Sequence, residues 1–307
     1  MNNLTSKLPA ETTVGWIGLT TPDLKRALTF YRDALGLQVS LQEDGSVCLS
    51  PPGGPIIVTL VERQSAAPPP QRSTGLYHLA VRLASRQALA GALRRLLEVH
   101  WPLQGAADHL VSEALYLEDA DGNGIELYHD RPQEEWPYRD GQLIMATNPL
   151  DLRALLKEAT QQSSWSGLLK GARLGHVHLK VSDLQDAETF YTSLIGFDLV
   201  LRYGPSAAFV SAGGYHHHIG FNTWNSTGAP APPPGSAGLR YFSILLPEGW
   251  TLQAIRERLE KAGAPIKEVQ SGLLVQDPSA NWLLITNQQR TVNRSTAFEH
   301  IGTTGQR

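Results

Sequence analysis

The 307-residue sequence predicts an α+β fold built from four βαβββ units. Three observations lead there: a gap-free internal repeat, a weaker repeat interleaved with it, and Pro-rich links at the joints. "VGWIGLTTPDLKRALTFYRDALGLQVSL" (14–41) aligns with "LGHVHLKVSDLQDAETFYTSLIGFDLVL" (174–201). Gly15/Gly175, Leu19/Leu179, Asp23/Asp183, Leu24/Leu184, Ala27/Ala187, Phe30/Phe190, Tyr31/Tyr191 and Gly36/Gly196 coincide.

Each copy opens with a short β-prone strand. Asp23 and Asp183 then stand where a side-chain oxygen can cap the free N–H groups of a helix start, and Gly36 and Gly196 stand where a helix ends. Further strands are predicted at Val47–Leu49 and Ile56–Val61, and in the later copy at Ala207–Val210 and His217–Phe221. The interleaved repeat pairs "GLYHLAVRLASRQALAGALRRLLE" (75–98) with "GLRYFSILLPEGWTLQAIRERLE" (238–260), and its ends pair "DADGNGIELY" (119–128) with "DPSANWLLIT" (277–286). "SAAPPPQRS" (65–73) and "APAPPPGSAG" (229–238) join units within each half. The expected boundaries are 12–64, 74–132, 172–226 and 237–290. A linker helix region covers 151–171, polar and helical over 151–162, and a tail covers 291–307.

A hydrophobic content of 41%, 18% charged residues and a net charge of −3 describe a soluble globular chain. With no basic excess, nucleic acid and anionic membrane surfaces are not expected partners. No run reaches membrane-spanning length. The single cysteine, Cys48, excludes an internal disulfide framework and thiolate metal clusters, so a cytoplasmic location is expected. A homo-oligomer is compatible with the sequence. Metal-binding potential rests on ten histidines, three of them consecutive in "GGYHHHIGF" (213–221). On a strand, His217 would face one side and His216 and His218 the other, so the three could not converge on one ion. His100, His129 and His300 fall in helix-end, post-strand and tail contexts and are expected to be solvated.

The strand–Asp–helix pattern with "FY…G", repeated over roughly 12–287, resembles the vicinal oxygen chelate superfamily, which includes glyoxalases, bleomycin-resistance proteins and extradiol ring-cleavage dioxygenases. The resemblance implies that paired units form two cup-shaped half-barrels, with metal ligands at set places on first and last strands. The first-strand place holds Trp16, His78, His176 and Tyr241 in the four units. The last-strand carboxylate place holds Glu126 in unit two and Leu284 in unit four. The implied metal ligands are therefore His78, His176 and Glu126, a set of two imidazoles and one carboxylate associated with open-coordination Fe(II), with Mn(II) as the alternative ion. Units two and three must then share one cup. Taken singly, each of these residues has an ordinary structural explanation, a buried strand histidine or a water-facing carboxylate. His178, two residues after His176, is a supporting group or a substitute ligand.

"DHLVSEALYLEDADGNGIELY" (108–128) resembles the extradiol catechol dioxygenases in particular. Tyr116 stands ten positions before Glu126 and His109 opens "HLVS"; "SAGGYHHHIG" and "DADGNGIE" resemble stretches of the four-unit bacterial catechol-2,3-dioxygenase type, with Ala120 where that type carries Pro. This implies an oxidoreductase that opens a small aromatic diol with O2. His217 would handle protons, and His109 and Tyr116 would hydrogen-bond substrate oxygens. The alternatives are a glyoxalase-like isomerase, for which a second carboxylate is missing at the Gly or Ile of unit three, and a non-catalytic binding protein of the same fold.

Overall fold

The structure is a computed structural model and describes residues 7–43, 45–159 and 171–288. The tail at 291–307 with His300, the linker residues 160–170 and Trp165 lie outside these residues. Unit one comprises β1 (Thr13–Thr21), α1 (Leu24–Leu28), β2 (Gln38–Glu43), β3 (Ser46–Ser50) and β4 (Val58–Glu62). Unit two comprises β5 (Gly75–Arg82), α2 (Arg86–Glu98), β6 (Leu103–Asp108), β7 (Ser112–Glu118) and β8 (Gly124–Asp130). A connection follows with the two-residue strands β9 (Tyr138–Arg139), β10 (Gln142–Leu143) and β11 (Asn148–Pro149), then α3 (Leu152–Glu158). Unit three comprises β12 (Arg173–Lys180), α4 (Leu184–Thr189), β13 (Asp198–Tyr203), β14 (Ala207–Ser211) and β15 (Ile219–Asn222). Unit four comprises β16 (Gly238–Leu245), α5 (Gln253–Lys261), β17 (Ile266–Val269), β18 (Gly272–Gln276) and β19 (Trp282–Thr286).

Local chemistry explains the repeat. Asp23 accepts from the Arg26 N–H at 2.9 Å and Asp183 from the Asp186 N–H at 2.8 Å, so each caps its helix. Both helices then widen into a π-helical turn, over Thr29–Ala34 and Phe190–Ile195, and stop at left-handed glycines, Gly36 (φ 75) and Gly196 (φ 108). The wider turn carries the repeated Phe–Tyr pair and buries both rings. Tyr31 donates to Asp119 at 2.7 Å and Tyr191 to Asp277 at 2.9 Å. Each aspartate also accepts backbone N–H groups of its own turn, from Asp121 and Asn123 or from Ser279 and Asn281. The "DADGN" and "DPSAN" segments are thus side-chain-closed turns, each fastened to the preceding unit by a tyrosine.

Units one and four form an eight-stranded sheet in the order β17-β18-β19-β16-β1-β4-β3-β2. Units two and three form a nine-stranded sheet, β11-β6-β7-β8-β5-β12-β15-β14-β13. In each sheet the two first strands meet antiparallel at the centre, and the half-barrel curl around that seam makes a cup. Alternation divides the residues of the central strands. Ile17, Phe242, Leu79 and Val177 enter one continuous apolar core with the helices, whereas Trp16, Tyr241, His78 and His176 point the other way, into the cups.

Two sequence expectations need correction. The strand expected at His217–Phe221 begins only at Ile219, and His216–His218 lie in the bend before it. Gly213 (φ 65) and Gly214 (φ 74) turn the chain there, so alternation of strand faces does not govern the three imidazoles. His129 is a residue of β8 rather than one that follows a strand. Of the polar helical stretch expected over 151–162, Leu152–Glu158 is helical, and 160–162 lie outside the described residues.

Candidate metal centre

β5, β8 and β12 are neighbours in the larger sheet, and each supplies one inward group. His78 pairs near the middle of β5, Glu126 sits on β8 beside it, and His176 sits on β12 across the seam. Gly175 is skipped by the β5–β12 ladder, a bulge that sets the register of His176. A side chain at 175 could not fit, because its Cβ would stand 1.8 Å from the Tyr128 hydroxyl.

The structure brings His78, His176 and Glu126 together. Glu126 Oε2 lies 3.0 Å from His78 Nε2 and 3.0 Å from His176 Nε2, and the two imidazole nitrogens are 3.3 Å apart. All three residues are buried, and among the described residues they form the one group of three that could hold a metal ion. The spacing fits an ion: bonds of roughly 2.1 Å to a first-row cation place neighbouring ligand atoms roughly 3 Å apart. The protonation states fit too. Burial alone would raise the Glu126 carboxyl, but His176 and His78 beside it hold it well below the usual carboxylate range. Burial lowers the His176 imidazole to about 4 despite the Glu126 charge. An ionised carboxylate and a neutral imidazole are the ligating forms.

The three groups face a cavity of about 270 Å³. Tyr116, on β7 opposite Glu126, and His109, in the turn before β7, line one side. Their hydroxyl and Nε2 are 2.6 Å apart, and His109 Nδ1 lies 2.6 Å from the Ala146 carbonyl, to which it donates. In neutral His109 the Nε2 lone pair therefore receives the Tyr116 proton. Burial and the Glu126 charge push the Tyr116 phenol well above its ordinary value, so it stays a donor. His217 lines the opposite side, its ring centroid 4.0 Å from that of His176. Burial, reinforced by the surrounding imidazoles, keeps it neutral. His178 is buried between the His78 ring and the Asn222 amide at 3.0 Å.

Tyr77 and Trp224 form an edge-to-face pair at 5.1 Å on the cavity wall. Their exposures of 41% and 45% place them at its mouth. Sequence alternation assigns Tyr77 to the face opposite His78. The ladder instead skips Tyr77 between Leu76 and His78, and this bulge lets both neighbours reach the cavity. Met145, Ala146 and Thr147, from the irregular connection after unit two, also line the wall; no periodicity marks them.

Residues 13–127 and 173–283 match the family model described as Glyoxalase/Bleomycin resistance protein/Dioxygenase superfamily. Over 271 residues the chain is 45% identical to a Bacillus subtilis (strain 168) protein named catechol-2,3-dioxygenase, covering 87% of this chain and 94% of that one. Among solved structures, a protein described as a putative dioxygenase from Bacillus subtilis superposes with a TM-score of 0.65 at 11% identity, covering 97% of this chain and 91% of that one. Glyoxalase I from Zea mays superposes at 0.56 and 13% identity, covering 90% and 93%. These two likenesses concern the fold.

Proposed function

The chain belongs to the glyoxalase/bleomycin resistance protein/dioxygenase superfamily and is an enzyme of the extradiol dioxygenase type, and from that premise we propose that it opens a catechol-type aromatic diol with O2 at the His78–His176–Glu126 site. The convergence of these three ligand atoms inside a cavity also lined by His217, Tyr116 and His109 carries the proposal. Fe(II) is the proposed ion, with Mn(II) second, since two imidazoles and one carboxylate leave positions open. When bound, the ion supplies Lewis acidity toward the diol and a redox path between diol and O2.

The chain's own residues supply the rest. The largely apolar wall, with Tyr77 and Trp224 at its mouth, admits an aromatic ring and excludes bulk water. His217 accepts a hydroxyl proton from the diol and returns it as the ring opens. Tyr116, whose proton is held by His109, offers its hydroxyl oxygen as an acceptor to a diol hydroxyl and so orients the diol beside the three ligand residues. Both atoms of O2 enter the product, one ring carbon–carbon bond beside the diol breaks, and a semialdehyde absorbing in the visible results. A cytoplasmic location belongs to the same proposal and rests on the single cysteine; among the described residues no helix is long and apolar enough to cross a membrane.

Anaerobic loading with Fe(II), then an oxygen-electrode screen of catechols with a methylglyoxal–thiol adduct as counter-screen, tests it. Expected are about one ion per chain, O2 uptake with catechols, and loss of metal in Glu126→Ala. Turnover of the adduct without O2 uptake, or a Glu126→Ala protein that keeps its ion, would overturn it.

A further inference from the structure

Behind His217, Asp130 and His216 continue a hydrogen-bonded line that the chemistry above leaves unused. His216 Nε2 lies 2.8 Å from Asp130 Oδ1, and His216 Nδ1 lies 2.8 Å from His217 Nδ1. The other carboxylate oxygen, Asp130 Oδ2, accepts from the Tyr215 hydroxyl at 3.0 Å and pairs with Arg82 at 3.1 Å. The Tyr215 proton is thus committed, and Tyr128 donates to the Tyr215 hydroxyl at 2.8 Å. His216 is fully buried, with its ring 4.1 Å from that of Tyr215 and 5.4 Å from that of Trp136. His218 is not part of the line: its Nδ1 accepts from the Ala212 N–H at 3.2 Å.

These contacts determine one another's direction. Burial would raise the Asp130 carboxyl, but His216, Arg82 and Tyr215 hold it below its ordinary value, so it is ionised and only accepts. His216 Nε2 must therefore carry a proton. In neutral His216 the other nitrogen is a bare acceptor, so the proton in the Nδ1–Nδ1 contact belongs to His217. The His217 lone pair then falls on Nε2, the nitrogen left for the cavity that this ring lines. We infer that Asp130 and His216 are positioning residues that hold His217 in its Nδ1–H tautomer, with Nε2 as the proton acceptor toward the bound diol. This rests on the role proposed above for His217. An aspartate reaching the reacting imidazole through a second imidazole does the work that a directly bonded aspartate does elsewhere.

Asp130→Asn should reverse the line. Arg82 and Tyr215 retain the amide oxygen on their side, so the amide N–H faces His216 Nε2 and donates to it. The His216 proton moves to Nδ1, and that of His217 moves to Nε2. In ¹⁵N NMR of the full-length chain, with and without Zn(II) as a diamagnetic probe, wild-type His217 should show a protonated Nδ1 and an unprotonated Nε2. His217→Phe identifies the resonances. Asp130→Asn should show the opposite pattern, with kcat on a catechol lowered about a hundredfold and KM within about threefold. In a His217→Phe background the same substitution should cost no further rate. If Asp130→Asn does not fold, His216→Phe keeps the ring packing while deleting both bonds, and should abolish the single-tautomer pattern with a similar loss of kcat. A wild-type His217 protonated at Nε2, or variants that retain both tautomer and kcat, would overturn the inference. An unchanged rate in His217→Phe would instead remove the catalytic role of His217, and the NMR pattern would still decide the tautomer.

Discussion

The two cups share a backbone plan and differ in three side chains. Where the larger sheet places His176, His78 and Glu126, the smaller sheet places Trp16, Tyr241 and Leu284 at matching positions of the repeat. These three pack together as an apolar cluster with Leu274, and Trp16 Nε1 donates to the Tyr241 hydroxyl at 3.2 Å. Gly18 is packed against the Tyr241 ring, where a Cβ would come within 2.6 Å of it. Both seams are bulged just ahead of this position, at Gly15–Trp16 and at Gly175. The same geometry that gathers three ligand atoms in one cup gathers a plug in the other. The fold brings three strand positions together, and residue type decides whether they form a cluster of metal-ligating groups or an apolar core.

Exchanging damage between the cups should break this symmetry most visibly. His176→Ala should lower O2 uptake with a catechol by about a thousandfold or more while leaving the urea midpoint of the metal-free protein nearly unchanged. Trp16→Ala should do the opposite, costing about 3–5 kcal/mol of stability through its cavity and leaving kcat within about threefold. A Trp16→Ala protein that is stable yet inactive would show that the plugged cup takes part in the reaction.

Acid should also distinguish the cups. Burial holds His176 at about 4 and His218 at about 3, and His178 and His217 well below their ordinary value. Unfolded, each takes a proton below about pH 6.5; folded, each resists it. With lowered folded values, the stability these groups support is complete above about pH 6.5 and falls as pH drops toward 4. Urea melts of the metal-free chain across that window should show the decline, and saturating metal should move it to lower pH. A flat profile would mean that the imidazoles open to water before the rest of the molecule. The smallest effect concerns what the two halves have in common. Tyr31→Phe and Tyr191→Phe should each cost about 1–2 kcal/mol, and nearly equally, because both delete one buried hydroxyl–carboxyl bond. Thermal melts of the pair check it; a loss confined to Tyr31→Phe would tie that contact to the Glu126 strand alone.

Legibility in the sequence followed regularity. The four units, their Asp caps and their glycine ends were readable because identical local chemistry recurs at Asp23 and Asp183, and at Gly36 and Gly196. The convergence of His78, His176 and Glu126 followed from the same repeat plus a family resemblance. What stayed hidden sits where regular pairing fails. Tyr77 is turned inward by a bulge that strict alternation cannot foresee. The His216–His217 bond requires the bend made by Gly213 and Gly214, whereas a strand would have separated the two rings. Asp130 reaches that pair from 86 residues away in the chain.

The nesting of the sheets has a consequence for the order of assembly. Among the described residues, every strand of the cup that carries His78, Glu126 and His176 falls between residues 75 and 222, while the plugged cup is divided between 13–62 and 238–286. As the chain leaves the ribosome, the inner cup has all its strands before the outer one acquires its second half. Trp16 must wait for a partner 225 residues later, and until then the inward face of unit one is an uncovered apolar surface. The half with the apolar plug is therefore the half that closes last, and conditions that stall synthesis after the second Pro-rich link should expose a finished inner cup beside an unfinished neighbour.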